Sequence, residues 1–259
     1  MPMTQAPDGT EIFFTDQGDG PPVVLVHGIT ESHQTWAPVT ERLAASHRVL
    51  AMDLRGHGRS ATADTYDLAS MAGDVAAVIE AAGAGRPHLV GHSLGGAVVS
   101  AAGAAGLGAT VTCVDQSLDL AAFKAQLVEF EQMLRDPETF ALVIEGLFDQ
   151  LVGTMLDPAE RTRIDALRCP DQDVALGVWA LLLEEDEATV AATVDAALAG
   201  YATPYLALFG IDPGAGYEPW LSTHIAGAEV DLWPDHGHYP HLVAPTRFVE
   251  RLQRFWTGS

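Results

Sequence analysis

The 259-residue sequence has few basic side chains, few cysteines and no long apolar run. Its 13 lysines and arginines stand against 35 acidic residues, which gives a formal net charge of -22 at pH 7. A charge of this sign repels phosphate backbones and anionic lipid surfaces. We therefore expect neither nucleic acid nor a membrane as a partner, and we attribute the charge itself to solubility.

Cysteines and targeting segments are equally scarce. Cys113 lies in an apolar stretch and Cys169 stands beside Pro170, a pattern that predicts reduced, structural thiols and no disulfide framework. No stretch reaches the roughly eighteen consecutive apolar residues of a membrane span, and the first residues lack a basic region followed by an apolar one. The sequence thus predicts a soluble, cytoplasmic protein, and it gives no indication of oligomeric state.

The chain does contain an alternation of short apolar stretches and helical patterns. Hydrophobic residues make up 48% of it, enough for one sizeable core. Strand and helix patterns alternate up to residue 116 and resume after residue 200, which is typical of an α/β fold with a mostly parallel central sheet flanked by helices. We predict that residues 1–116 and 201–259 form this core and that residues 117–200 form an inserted helical cap.

The segment Gly91-His92-Ser93-Leu94-Gly95-Gly96 separates a strand pattern from a helix pattern. A strand that turns into a helix without a loop bends sharply, and the bend leaves no room for side chains at Gly91 and Gly95. Ser93 is then exposed and strained at the turn. The backbone N–H of Leu94, at the start of the helix, can donate to an oxyanion. The pattern predicts that Ser93 is an activated nucleophile.

A nucleophilic serine requires a base, and residues 233–242 contain three histidines. We favour His238, because it follows Gly237, whose backbone allows a close approach, and because it lies just beyond the end of a strand. For His236 and His241 we predict surface or structural roles.

The carboxylate that orients the histidine has two candidates between Ser93 and His238. Asp212 follows a strand and lies in a glycine-containing loop, which is able to reach the histidine. Asp115 also lies at the end of a strand. We favour Asp212, because Asp115 leads directly into the predicted cap and is explained by an anchoring role at that junction.

With these motifs in place, the chain resembles the α/β-hydrolase fold enzymes with a cap domain over essentially its whole length. The resemblance implies a triad of Ser93, His238 and Asp212. It also implies an oxyanion hole formed by the backbone N–H groups of Leu94 and Ile29. The motifs that carry the resemblance are His27-Gly28 after the third strand, DLRGHGRS after the fourth, the GHSLGG elbow, Asp212 after the strand beyond the cap, and GHYPH around His238.

Other residues in the matched motifs are expected to be structural. His27, His57 and His92 brace loops around the pocket, and Asp53 and Arg55 hold the loop after the fourth strand. The histidine-rich segment lacks a helical His-x-x-x-His pair and a neighbouring carboxylate cluster. We therefore predict no metal and no cofactor.

These features predict a serine hydrolase that cleaves a small or medium carboxylic ester or lactone, with a small-molecule acyl substrate as its partner. Trp179 and Leu182, in the predicted cap, are candidates for lining an apolar substrate pocket. The same triad would serve a cofactor-free perhydrolase or haloperoxidase, a carbon–carbon bond hydrolase or an acyltransferase. The alternative from another class is a ligand receptor that keeps the fold without turnover.

Overall fold

The computed structural model describes residues 2–258. Its eight strands form one sheet in the order β1-β2-β4-β3-β5-β6-β7-β8. The strands β1 and β2, and β2 and β4, are antiparallel, whereas all other neighbours are parallel. The predicted mostly parallel sheet is therefore confirmed. The strands are β1 Met3–Gln5, β2 Glu11–Gln17, β3 Pro22–Val26, β4 Arg48–Met52, β5 His88–His92, β6 Thr110–Val114, β7 Tyr205–Phe209 and β8 Glu229–Leu232.

Helices connect the strands and cover both faces of the sheet, as an alternating pattern of strands and helices predicts. A short 3₁₀ turn, His33–Trp36, leads into the first of them. The helices are α1 Ala37–Leu43, α2 Leu68–Ala82, α3 Leu94–Ala104, α4 Ala121–Arg135, α5 Phe140–Leu151, α6 Pro158–Leu167, α7 Gln172–Val178, α8 Ala180–Glu184, α9 Glu187–Leu198, α10 Tyr217–His224, α11 Pro240–Val243 and α12 Pro245–Gly258.

The central strands contribute side chains to two apolar clusters, one on each face of the sheet. Successive side chains of a strand point to opposite faces. In β3, Val24 and Val26 therefore pack with α2 and α3, while Val23 and Leu25 pack with α1 and α12. Because helices cover both faces, a central strand such as β3 is apolar throughout instead of alternating with polar residues.

Between β6 and β7 the described chain contains six helices, α4 to α9, and no strand. In this segment, which we call the cap helices, α4 packs against α5, α7, α8 and α9, and α9 also packs against α3 of the core. The helical pattern read from this part of the sequence matches these elements. The domain boundaries near residues 117 and 200 remain a prediction.

The register of the parallel strands brings several loops to one edge of the sheet. Val26 of β3 pairs with Gly91 of β5, and His92 of β5 pairs with Val114 of β6. The residues that follow these strands therefore emerge side by side at the carboxyl edge, where open α/β sheets bind their ligands.

Two findings concern the cysteines and the length and apolarity of the helices. Both cysteines are free, and burial raises the pKa of the Cys113 thiol to about 12, so this thiol stays protonated. Among the helices of residues 2–258, none combines the length and the apolarity needed to cross a lipid bilayer.

Candidate active site

Ser93 lies in the sharp turn between β5 and α3. Its backbone has φ 52° and ψ -126°, a region that L-residues rarely adopt and that costs on the order of 1–3 kcal/mol. A Cβ atom at Gly91 would overlap the carbonyl oxygen of Gly95, and one at Gly95 would overlap that of Val26. The turn needs glycine at both positions, as the sequence indicates, and it places the Ser93 side chain on a cavity wall.

His238 lines the same cavity and is held in place from three sides. Its Nδ1 lies 2.7 Å from Oδ2 of Asp115, in a buried contact. Its backbone N–H donates to the carbonyl of Leu151, and its own carbonyl oxygen lies 2.8 Å from Nε2 of His92. Because Nδ1 is committed to the carboxylate, Nε2 is the nitrogen left to face a reacting group.

The expectation that Asp212 would orient this histidine is wrong. The Asp212 side chain is exposed, and its Oδ1 accepts the N–H of Gly214 at 2.8 Å in a local turn. The carboxylate at the histidine is that of Asp115, the candidate that the sequence analysis ranked second.

Two structural features explain why Asp115, and not Asp212, contacts His238. The strand β6, which ends just before Asp115, is the direct neighbour of β5, so Asp115 emerges beside Ser93. The loop after β7 contributes N–H groups instead of a carboxylate: those of Gly210 and Ile211 donate to Oδ1 of Asp115 at 2.7 and 3.0 Å. Asp115 itself adopts φ 50°, a left-handed conformation that L-residues rarely adopt.

The two expected oxyanion donors lie beside the serine. A Cβ atom at Gly28 would be 3.1 Å from the Ser93 Cβ, so the loop after β3 touches the elbow. Both Ile29 and Leu94 line the cavity next to Ser93. Across residues 2–258, neither backbone N–H has a protein acceptor, which leaves both donors available to an oxygen in the cavity.

A buried carboxylate that the sequence analysis did not single out lies behind these elements. Oε2 of Glu31 accepts the N–H of Gly28 at 3.1 Å, and Oε1 accepts the hydroxyl of Tyr239 at 2.8 Å. Nδ1 of His92 lies 3.5 Å from the same carboxylate. Glu31 thereby links the loop after β3, the elbow and the histidine loop. The only signal in the sequence is a glutamate inside the HGITES segment.

Burial and neighbouring charges set the protonation of this cluster. Burial, reinforced by the nearby His92, lowers the pKa of His238 below its ordinary value of 6.5, although the hydrogen bond to Asp115 opposes the shift. Burial alone would raise the pKa of Glu31, but the interactions with His92 and Tyr239 outweigh it and lower this pKa. At neutral pH the cluster therefore holds a neutral His238 and an ionised Glu31.

Replacing Glu31 by glutamine is expected to lower kcat/KM for an ester substrate by about tenfold to a hundredfold, because small misplacements at a reacting centre have effects of this size. In the wild type, the negative charge of Glu31 stabilises the protonated form of His238. Its loss therefore lowers the pKa of His238 further. The acid limb of the pH profile of kcat/KM should move to lower pH. The matched control is Glu41→Gln at an exposed position of α1. If Glu31→Gln changed neither kcat/KM nor the acid limb of its pH profile, the proposed linking role of Glu31 would be contradicted.

The remaining histidines and charges of the matched motifs have structural contacts. His27 lies between the carbonyl of Gly28 and the N–H of Leu54, and Nδ1 of His57 faces the carbonyl of Arg55. Other contacts are those of Asp53 with His33 and Arg59, of Arg55 with the buried Asp74, of His236 with the carbonyl of Pro234, and of His241 with the rings of Trp36 and Phe248.

The cavity above Ser93 has a volume of about 1390 Å³ and lies between the core and the cap helices. Trp179 and Leu182 both line it and are buried. Buried Lys124 fixes this part of the cap, since its Nζ donates to the carbonyls of Leu182 and Glu185 at 2.6 Å. In the part of the chain that the structure describes, no three histidine, cysteine or acidic side chains are grouped so that they could hold a metal ion.

A strand–serine–helix elbow at the carboxyl edge of a mostly parallel eight-stranded sheet defines the α/β-hydrolase fold. A model of the alpha/beta hydrolase family matches residues 23–251, and the chain belongs to that family.

Known proteins agree with this assignment. The chain is similar to a solved protein from Burkholderia cenocepacia that is provisionally assigned as an aryl esterase, with a TM-score of 0.79 and 27% identity over 98% of this chain and 97% of that one. An esterase from Rhodococcus sp. ECU1013 aligns with a TM-score of 0.70 and 26% identity, over 99% of this chain and 98% of that one.

A curated relative, the non-heme haloperoxidase of Rhodococcus erythropolis, is 41% identical over 102 residues, which are 39% of this chain and 37% of the relative. The chain thus matches well under half the length of this relative.

Proposed function

We propose that the protein is a serine hydrolase that cleaves a small or medium carboxylic ester or lactone with a triad of Ser93, His238 and Asp115. The observation that carries the proposal is the buried 2.7 Å contact between Nδ1 of His238 and Oδ2 of Asp115, beside a strained serine in one cavity. The family and the esterases that share the fold support the same reaction class.

In the proposed mechanism, Nε2 of His238 takes the hydroxyl proton of Ser93 as the oxygen attacks the substrate carbonyl. The tetrahedral oxyanion accepts hydrogen bonds from the N–H groups of Ile29 and Leu94. The protonated histidine then gives its proton to the leaving alkoxide, and an acyl-enzyme remains. Water, deprotonated by His238, attacks the acyl carbon, and release of the carboxylic acid returns the proton to Ser93.

Asp115 has two tasks in this scheme. It keeps the proton of the neutral imidazole on Nδ1, so that Nε2 is free to act as the base, and it stabilises the imidazolium that forms. The depressed pKa of His238 suits the first step, because a base must be unprotonated before the reaction.

A fluorophosphonate probe is expected to label the native protein once, at Ser93, because only an activated serine beside oxyanion donors reacts readily with such a probe. Mass spectrometry of the digested adduct identifies the residue. The Ser93→Ala variant should remain unlabelled, and heat-unfolded protein provides the second control. An adduct on another serine would overturn the assignment of the nucleophile. No adduct, while a known serine hydrolase reacts in parallel, would overturn the proposal and favour a ligand receptor without turnover.

The similarity to a non-heme haloperoxidase favours perhydrolysis as the second candidate. The acyl-enzyme would then be attacked by hydrogen peroxide instead of water, and the product would be a peracid. Peracid formation from acetate and peroxide, measured by bromide oxidation beside ester hydrolysis with the same preparation, decides between the two nucleophiles. The Ser93→Ala variant is again the control, since both reactions need the acyl-enzyme.

A further inference from the structure

The cavity extends far beyond the reacting serine. It follows α3 from Leu94 at the elbow to Ala104 and Ala105 at the opposite end. The helix has 11 residues, and an α-helix rises 1.5 Å per residue, so this part of the cavity is about 16 Å long. An acetyl group bound at Ser93 would occupy only the first part of that length.

Short side chains keep this part of the cavity open. Ala97 and Ala101 of α3 and Ala105, just after its end, lie four residues apart and line the cavity, while Ala72 and Ala76 line it from the neighbouring α2. Gly73 lies between the last two. We call the channel bounded by these six residues the α2–α3 groove.

The groove is not explained by packing between the helices and the sheet. The larger side chains of the same helices, Val75 and Val78 of α2 and Val98 and Val99 of α3, are fully buried in the core. The groove side of α3 is only partly buried at Ala97 and Ala101, yet this helix contains no charged residue. A partly exposed helix face is ordinarily polar, so an alanine face suits an apolar occupant.

The opposite wall of the cavity also contributes apolar side chains. Leu181 and Leu182 of α8 and Ala197 of α9 belong to the lining, and α9 packs against α3. The groove is continuous with Ser93 and His238, which line the same cavity. A chain attached to an ester bound at Ser93 can therefore extend into the groove within one cavity.

Charge narrows the class of substrate further. Among the described residues that line the cavity there is no lysine or arginine, whereas four aspartates belong to the lining: Asp67, Asp115, Asp119 and Asp212. A carboxylate on the substrate would have no cationic partner and would face negative charge in a protein of net charge -22. The cavity suits an uncharged molecule.

From this we infer that the site prefers uncharged esters with a linear apolar chain of medium length, and that the chain lies in the α2–α3 groove. The inference rests on the proposed hydrolase function, which it makes more specific. The chain belongs to the acyl or the alcohol part of the ester, and two substrate series distinguish these sources.

The first measurement is kcat/KM for p-nitrophenyl acetate, butanoate, hexanoate and octanoate, beside a series of alkyl acetates of increasing length. A fully buried methylene raises kcat/KM by a factor of about four and a half-buried one by a factor of about two. Octanoate has six more methylenes than acetate, so its kcat/KM should be about sixtyfold higher if the chain is acyl. A comparable rise in the alkyl acetates alone assigns the groove to the alcohol. The monoester of adipic acid with a free carboxylate should react at least about tenfold more slowly than the hexanoate. If neither series shows a dependence on chain length, the inference is overturned. If the charged adipate monoester reacts as fast as the hexanoate, the inferred preference for uncharged esters is wrong.

The groove itself is tested with Ala101→Leu, which places a larger side chain at its middle. The ratio of kcat/KM for the longest and shortest esters should fall at least tenfold, because the added side chain occupies the volume of several methylenes. Ala81→Leu, at an exposed position of α2 outside the cavity, is the matched control and should keep the wild-type ratio. Ala76→Leu narrows the groove from α2. It replaces Ala101→Leu in the test if circular dichroism shows that Ala101→Leu is unfolded. An unchanged ratio in a folded groove variant would overturn the placement of the chain.

Failure of the proposed function is distinguishable from failure of this inference. Turnover of acetate with a flat length series disproves the groove alone, whereas absence of turnover with every ester disproves the hydrolase. Calorimetric titration of the Ser93→Ala protein with ethyl octanoate and ethyl acetate then tests the groove without catalysis. The groove is supported if the Ser93→Ala protein binds the octanoate more tightly than the acetate and if this difference is lost when Ala101→Leu is added. Equal binding of the two esters to the Ser93→Ala protein overturns it.

Discussion

Replacement of His238 by alanine is expected to lower kcat for an ester by about a million-fold, since loss of the base from a Ser-His-Asp triad has an effect of this size. Without Nε2 of His238, no group in the proposed mechanism takes the proton of Ser93. Initial rates with p-nitrophenyl acetate measure the effect, and circular dichroism verifies the fold.

The matched control for this variant is His236→Ala, two residues away. His236 makes a hydrogen bond to the carbonyl of Pro234 and contacts the ring of Trp233, and it does not line the cavity. Its removal should leave turnover within a few-fold of the wild type. Loss of activity in His236→Ala together with retained activity in His238→Ala would show that another histidine is the base.

Asp115→Asn is expected to lower kcat/KM by about ten-thousand-fold with the fold intact, as the equivalent change does in a serine protease. The asparagine oxygen can still accept the N–H groups of Gly210 and Ile211 that now bond to Oδ1. The asparagine amide then presents N–H to Nδ1 of His238. The histidine proton moves to Nε2, and the nitrogen facing Ser93 becomes a donor that cannot act as a base.

Asp212→Asn is the control for this charge removal, because it makes the same chemical change in the neighbouring loop. Asp212 lines the cavity, but its side chain is exposed and does not contact His238, and the asparagine oxygen can still accept the N–H of Gly214. A loss below about tenfold is expected. If Asp212→Asn were instead the inactive variant and Asp115→Asn retained activity, the contact between Asp115 and His238 would have no catalytic role.

The elbow could be predicted from contiguous residues because its geometry is local. Gly91 and Gly95, two residues to either side of Ser93, permit a tight turn from strand to helix, and the structure shows this turn at Ser93. His238 was reached in a similar way, from a glycine and the end of a strand.

The acid could not be chosen from local patterns, because Asp115 and Asp212 both follow strands and both precede His238. The choice depended on which strand lies beside β5 and on which loop turns toward the histidine. The role of Glu31 was hidden for the same reason, since its partners Gly28, His92 and Tyr239 are far apart in the chain.

The sequence by itself determined the α/β architecture, the serine elbow and the histidine, because periodicity, glycine requirements and strand ends are properties of neighbouring residues. The tertiary structure alone decided that Asp115 contacts the histidine, that Glu31 lies behind the site and that the cavity follows α3. These features arise where distant segments meet, and the order and register of the strands, which set those meetings, are not contained in any single stretch of the chain.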